Sequence, residues 1–96
     1  MKNRISDGRG KQAVAARLLL TRQALGLGQK EFVECARVAS NTYNQYESGT
    51  NMPSLEKAMF LKDAHQLTLD WIYDGDPSGL RYELADAIKA IRAARV

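Results

Sequence analysis

The chain has little of what enzymes and secreted proteins are usually built on: one cysteine, one histidine, one tryptophan and two prolines in 96 residues. A single thiol, Cys35, excludes an internal disulfide, and with His65 alone beside it no Cys/His cluster reaches metal-ligand spacing. No serine-histidine-acid or cysteine-histidine arrangement can be assembled around one histidine without a further base, so catalysis is not expected and no cofactor is implied. His65, close to Asp63, is expected to be structural or solvent-exposed. No apolar run approaches the ~20 residues of a membrane span. The first eleven residues also lack the apolar core of a secretory signal, so a cytoplasmic protein is expected. No hairpin turn signal and no internal repeat occurs.

What is present is ordinary for a soluble globular protein, with 45% apolar and 26% charged residues. The length allows one compact domain. The net charge of +3 is unevenly spread. Lys2, Arg4, Arg9 and Lys11 outweigh Asp7, whereas residues 29–76 hold eight acids against Lys30, Arg37, Lys57 and Lys62. Residues 1–11, with two glycines and few apolar side chains, read as a flexible basic arm. Such an arm suits a polyanion such as DNA, because neutralised phosphates release counterions. It equally suits a solvated tail, so charge alone leaves the function open.

Helical periodicity runs through the rest. Lys11 to Leu25 is rich in Ala, Leu, Arg and Gln, with Val14, Leu18 and Leu25 (beside Ala15 and Ala24) forming one apolar face. Gly26 ends it. A second, short helix is predicted over 29–36, inward on Phe32, Val33 and Ala36, and a third over 40–48, inward on Tyr43 and Tyr46 with their hydroxyls near the surface. Gly49 is the natural stop, since glycine adopts left-handed dihedrals without steric cost. Ser54 can cap a fourth helix to about Gln66, inward on Leu55, Ala58, Met59, Phe60 and Leu61. Residues 67–73 make a fifth, anchored by Trp71. The segment from Ser78 makes a last helix. The expected fold class is all-α.

Two short helices separated by a three-residue break match the helix-turn-helix arrangement, in which the second helix projects far enough to enter the major groove of B-DNA. The third helix carries Ser40, Asn41, Asn44, Gln45 and Ser48, which hold both donors and acceptors. Asn and Gln can bond adenine bidentately, and Ser can bond several base edges. A merely solvated face would more usually carry Lys and Glu.

The stretch from Leu25-Gly26-Leu27-Gly28-Gln29-Lys30-Glu31-Phe32 to Tyr43-Asn44-Gln45-Tyr46-Glu47-Ser48-Gly49 resembles the lambda-repressor-like family of Cro/CI type, also called XRE. Arg17, Arg22, Gly26, Leu27, Gln29, Glu31, Glu47, Gly49, Pro53 and Leu55 carry the match, and Leu67-Thr68-Leu69-Asp70-Trp71-Ile72-Tyr73-Asp74-Gly75 resembles the family's fifth helix. The resemblance spans about residues 13–75. It implies a five-helix DNA-binding domain over residues 12–76, followed here by an additional C-terminal helix over 77–96. It further implies a bacterial or phage-encoded transcriptional regulator, repressor-like, that binds double-stranded DNA and uses no cofactor. By position, Ser40, Asn41, Asn44 and Gln45 would read bases, and Gln29, Arg37, Ser48, Thr50 and Asn51 would approach phosphates. Arg22 and Glu47 would join the first helix to the end of the third and orient it. Three departures stand out. Arg37 occupies the turn position where the family usually has glycine, Ala39 replaces the usual Ser/Thr cap and leaves Ser40 as the alternative cap, and Val33 replaces a common alanine.

On the last helix, Leu80, Leu84, Ala87, Ile88 and Ile91 form a narrow apolar stripe. A five-helix body would be complete by Gly75, so the stripe is expected to pack on a second copy, with Leu80, Leu84, Ile88 and Ile91 as the seam; packing back on the same domain is the alternative. A homodimer would place two reading helices about one DNA turn apart and call for a near-palindromic operator. Two rivals remain. One is an antitoxin-type regulator that also binds a toxin protein; the other is a protein-interaction adaptor without DNA binding.

Overall fold

The computed structural model describes residues 9–94, and these are helical with no strand among them. In chain order the elements are α1 (Lys11–Leu25), α2 (Gln29–Glu34), α3 (Ser40–Glu47), α4 (Leu55–His65), a short π-helical turn α5 (Asp70–Asp74) and α6 (Tyr82–Ala94). No described helix is long and apolar enough to cross a membrane. Most of the basic arm, residues 1–8, lies outside the described residues. Its predicted end does not hold as drawn, because Lys11 is already the first residue of α1. Arg9 makes an exposed ion pair with Asp74.

The order of elements follows the caps. Gly26 and Gly75 take left-handed dihedrals at the ends of α1 and α5. Ser54 accepts a hydrogen bond from the Lys57 backbone N–H and starts α4. Gly75 is fixed twice over. Its φ is +81°, and a Cβ there would lie 2.9 Å from Arg17 Nη1.

α1 is the axis of the molecule, with α6, α3 and α5 packed on it. It buries Val14, Ala15 and Leu18, as its periodicity predicts, and also Arg17 and Thr21, which residue type alone would place outside. Both are satisfied there. Thr21 Oγ1 donates to the Arg17 carbonyl at 2.7 Å and accepts from Trp71 Nε1 at 2.8 Å. Arg17 donates to the Ile72 and Tyr73 carbonyls, the orphan acceptors at the end of α5. Trp71, fully buried, is the anchor of α5.

The apolar stripe of α6 does not face outward. Leu80, Leu84 and Ile88 are buried against the same core as Leu18 and Trp71, Ile91 is half-buried, and the Arg92 guanidinium lies 5.3 Å over the Trp71 ring. Residues 77–94 therefore complete the body instead of forming an appended unit, and the expected dimer seam is corrected to an intramolecular one. Burying three aliphatic side chains is worth roughly 1.5–3 kcal/mol each, and the chain's own core collects it first. In α4 the inward residues are Ala58, Leu61 and His65. Leu55 and Met59, expected inside, are exposed, and Phe60 is half-buried.

Between α2 and α3, Arg37 stands in the left-handed region with φ of +60°. That conformation costs a non-glycine residue roughly 1–2 kcal/mol, offset in part by the larger unfolded-state entropy glycine would bring, about 0.5–1 kcal/mol. Arg37→Gly should therefore raise the unfolding free energy by up to about 1 kcal/mol, a Tm gain of roughly 4–8 °C per kcal/mol for a domain this size. Thermal melts of the two proteins check this; a fall in Tm would show that the Arg37 side chain supplies more than its strain removes.

Candidate nucleic-acid interface

α3 divides cleanly by its period. Tyr43 and Tyr46, three residues apart, are buried, while Ser40, Asn41, Asn44, Gln45 and Ser48 are exposed, with Thr50 and Asn51 beyond them. The predicted reading residues thus share one surface, and no charged side chain is among them. On the inner side Tyr43 packs against Phe32 of α2, ring centroids 5.3 Å apart, and edge-on to Tyr46 at 6.3 Å.

What aims this surface is a polar network around Glu47, in the last turn of α3. Arg22 of α1 donates to both of its carboxylate oxygens, Nε to Oε2 at 2.7 Å and Nη2 to Oε1 at 3.1 Å. The Tyr43 hydroxyl donates to Oε2 at 2.5 Å, so it lies within the network and not at the surface expected for it. Gln29 Nε2 donates to Oε1 at 3.0 Å. Arg22 Nη1 also holds the Leu27 carbonyl, tying in the loop between α1 and α2. Four donors from three helices thus meet one carboxylate whose side chain is 8% exposed. Burial works against its charge, but the hydrogen bonds from Arg22, Tyr43 and Gln29 outweigh it and hold the carboxyl below its ordinary value. For Tyr43, burial and the neighbouring carboxylate push the hydroxyl far above its usual range, so it stays a donor.

The remaining predicted residues divide. Gln29, at the start of α2, is half-buried. Its amide nitrogen serves Glu47 and, at 3.4 Å, Asn44 Oδ1, so it braces α2 against α3. Ser40 does not cap α3: Ala39 is the N-cap residue with no side-chain bond, and Ser40 is the first helical residue, exposed. Asn41 Oδ1 accepts from the Thr42 N–H at 2.9 Å. Ser48 and Thr50 pair through their hydroxyls at 2.8 Å, and Asn51 Nδ2 donates to Gln45 Oε1 at 2.5 Å. Arg37 borders a groove of about 370 Å³ with Cys35, Ala36, Phe60, Asp63 and Ala64, which puts it beside α4.

The Tyr43 and Gln29 contacts to Glu47 were not foreseen from sequence, although an i, i+4 spacing of Tyr43 and Glu47 on one helix was a signal for the first. Cys35 Sγ lies 4.0 Å from His65 Nε2. That nitrogen is 2.6 Å from the Phe32 carbonyl, which can only accept, so it carries the proton and is no base toward the thiol. His65 stacks flat on Phe32, centroids 4.2 Å apart, a packing role. Comparison with protein-family models, with curated proteins and with solved structures gives no match.

Proposed function

We propose that the chain is a sequence-specific regulator that binds double-stranded DNA, built on the lambda-repressor-like helix-turn-helix plan, with α3 entering the major groove. The observation that carries this reading is the division of α3. One face exposes only amides and hydroxyls, at positions 40, 41, 44, 45 and 48. The other is held by Tyr43, Tyr46 and the Glu47 network, which spends three helices' polar groups on fixing how that face points. Uncharged donor-acceptor side chains suit base edges, which present patterned donors and acceptors, better than they suit phosphates. Affinity would then come from cations elsewhere on the chain, and the basic segment 1–11 is the first candidate.

A dimer on a near-palindromic site remains part of the proposal, but with the α6 stripe buried its seam would have to lie elsewhere on the surface. The mild overall charge and the acidic middle segment, residues 29–76, keep the adaptor reading as the rival.

Selection of duplexes from a random pool, followed by mobility-shift titration on the selected site, tests the reading. Retardation should be sequence-selective and weaken steeply with salt. Gln45→Ala or Asn41→Ala should each lose about 1–3 kcal/mol of discrimination at one base pair and little elsewhere. No selection from the pool, or variants that bind all duplexes as the parent does, would leave the adaptor as the better account.

A further inference from the structure

Gln45 is the node of the polar turn that closes α3. Its main-chain carbonyl accepts from the Thr50 N–H at 3.0 Å, the Asn51 N–H at 3.2 Å and the Ser48 hydroxyl at 3.2 Å. These bonds fold the chain back over the last helical turn. Gly49, with φ of +79° and the Gln12 side chain within 2.7 Å of where a Cβ would stand, is the residue that permits the reversal. The reversal brings Asn51, six positions on, level with the Gln45 side chain, and Asn51 Nδ2 donates to Gln45 Oε1 at 2.5 Å.

We infer that Asn51 is a specificity-positioning residue: by holding the oxygen of the Gln45 amide on one side, it makes Gln45 a reader of adenine. The inference rests on the duplex-reading role of α3 and names what one position of that face reads. An unconstrained exposed glutamine has three soft torsions and an amide that can turn either way, so it can offer two N–H donors to guanine O6 and N7 or a donor-acceptor pair to adenine. With Oε1 held by Asn51, the amide presents its remaining oxygen lone pair and its Nε2–H side by side. That pattern complements adenine N6–H and N7, whereas guanine offers two acceptors there and meets the fixed oxygen with repulsion. Asn51 thereby acts through Gln45 and not through a phosphate, the contact its place after α3 had suggested.

The experiment titrates the parent, Gln45→Ala, Asn51→Ala and the double variant against four duplexes. These differ only at the base pair whose preference Gln45→Ala abolishes. The parent should favour A·T over G·C there by about tenfold or more, within the range of a good bidentate contact. Asn51→Ala should bring that ratio within about threefold while binding to the A·T duplex changes little. The double variant should match Gln45→Ala, since a residue acting through another adds nothing once that other is gone. Circular dichroism and a thermal melt of Asn51→Ala report whether the fold is kept. Equal weakening on all four duplexes with the ratio intact would make Asn51 a phosphate contact and overturn the inference, as would a parent preference for G·C. Failure of the parent to select any sequence would overturn the reading of α3 itself, and the inference with it.

Discussion

Ile88→Ala should lower the unfolding free energy by about 2–5 kcal/mol, and by the same amount at low and at high protein concentration. Ile88 is 2% exposed and belongs to one cluster with Leu84, Leu80, Leu18 and Trp71. Truncation removes apolar contact area and leaves a cavity that the neighbouring α1 and α5 can only partly close. Where the site collapses well the loss falls at the lower figure; where Trp71 and Arg92 keep their places it approaches the upper. A seam between two copies would behave otherwise, with stability rising as protein is added and the variant shifting that dependence. Urea denaturation at two concentrations a hundredfold apart distinguishes the cases. A loss under about 0.5 kcal/mol, or a midpoint that moves with concentration in the parent and not in the variant, would restore the stripe to an interface.

Arg22→Ala should cost about 3–5 kcal/mol, because the pair it breaks is buried on its carboxylate side and Glu47 cannot follow into water. Tyr43 and Gln29 would still donate, but two neutral hydrogen bonds do not replace a bidentate guanidinium. Arg22→Lys should recover only part of the loss, since an ammonium cannot engage both oxygens in one plane. The pH dependence has a definite sign. The Glu47 carboxyl titrates below its ordinary value of 4.5 in the folded chain. Its contribution is therefore complete above about 4.5 and is lost as pH falls through the lower folded value. The parent should lose stability on acidification below about pH 4.5 more than Arg22→Ala does. Denaturation curves at pH 7 and pH 3 measure both effects, and parallel losses in the two proteins would mean that Glu47 is not the group responsible.

How much of this was legible from residues alone follows from what each feature depends on. Local signals served well. Gly26, Gly49 and Ser54 sit at helix ends where their chemistry requires them, and the Tyr43–Tyr46 spacing identified the inner face of α3. Features decided by partners distant in sequence were hidden. Thr21 and Arg17 are polar by type, which alone places neither in the core, yet Trp71 Nε1 and the α5 carbonyls, some fifty residues on, make their burial favourable. The stripe on α6 is legible as an apolar face, but a periodicity states that a face is buried and not against what. On α4 the set Leu55, Ala58, Met59, Phe60 and Leu61 is wider than one contact face, and the core took Ala58, Leu61 and His65. Around the candidate interface, residue types suggested the outward amides. The web joining Gln29, Asn44 and Glu47, and the hold of Asn51 on Gln45, needed coordinates.

Binding of a duplex by the amide face of α3 is the central claim. Titrating a pool-selected duplex into ¹⁵N-labelled protein and following the side-chain and backbone amides by NMR tests this most directly. The prediction is that Asn41, Asn44 and Gln45 shift most, Tyr43 and Tyr46 little, and Leu84 and Ile88 hardly at all. Shifts centred instead on the exposed side of α6 around Tyr82, with Asn41, Asn44 and Gln45 unmoved, would contradict it.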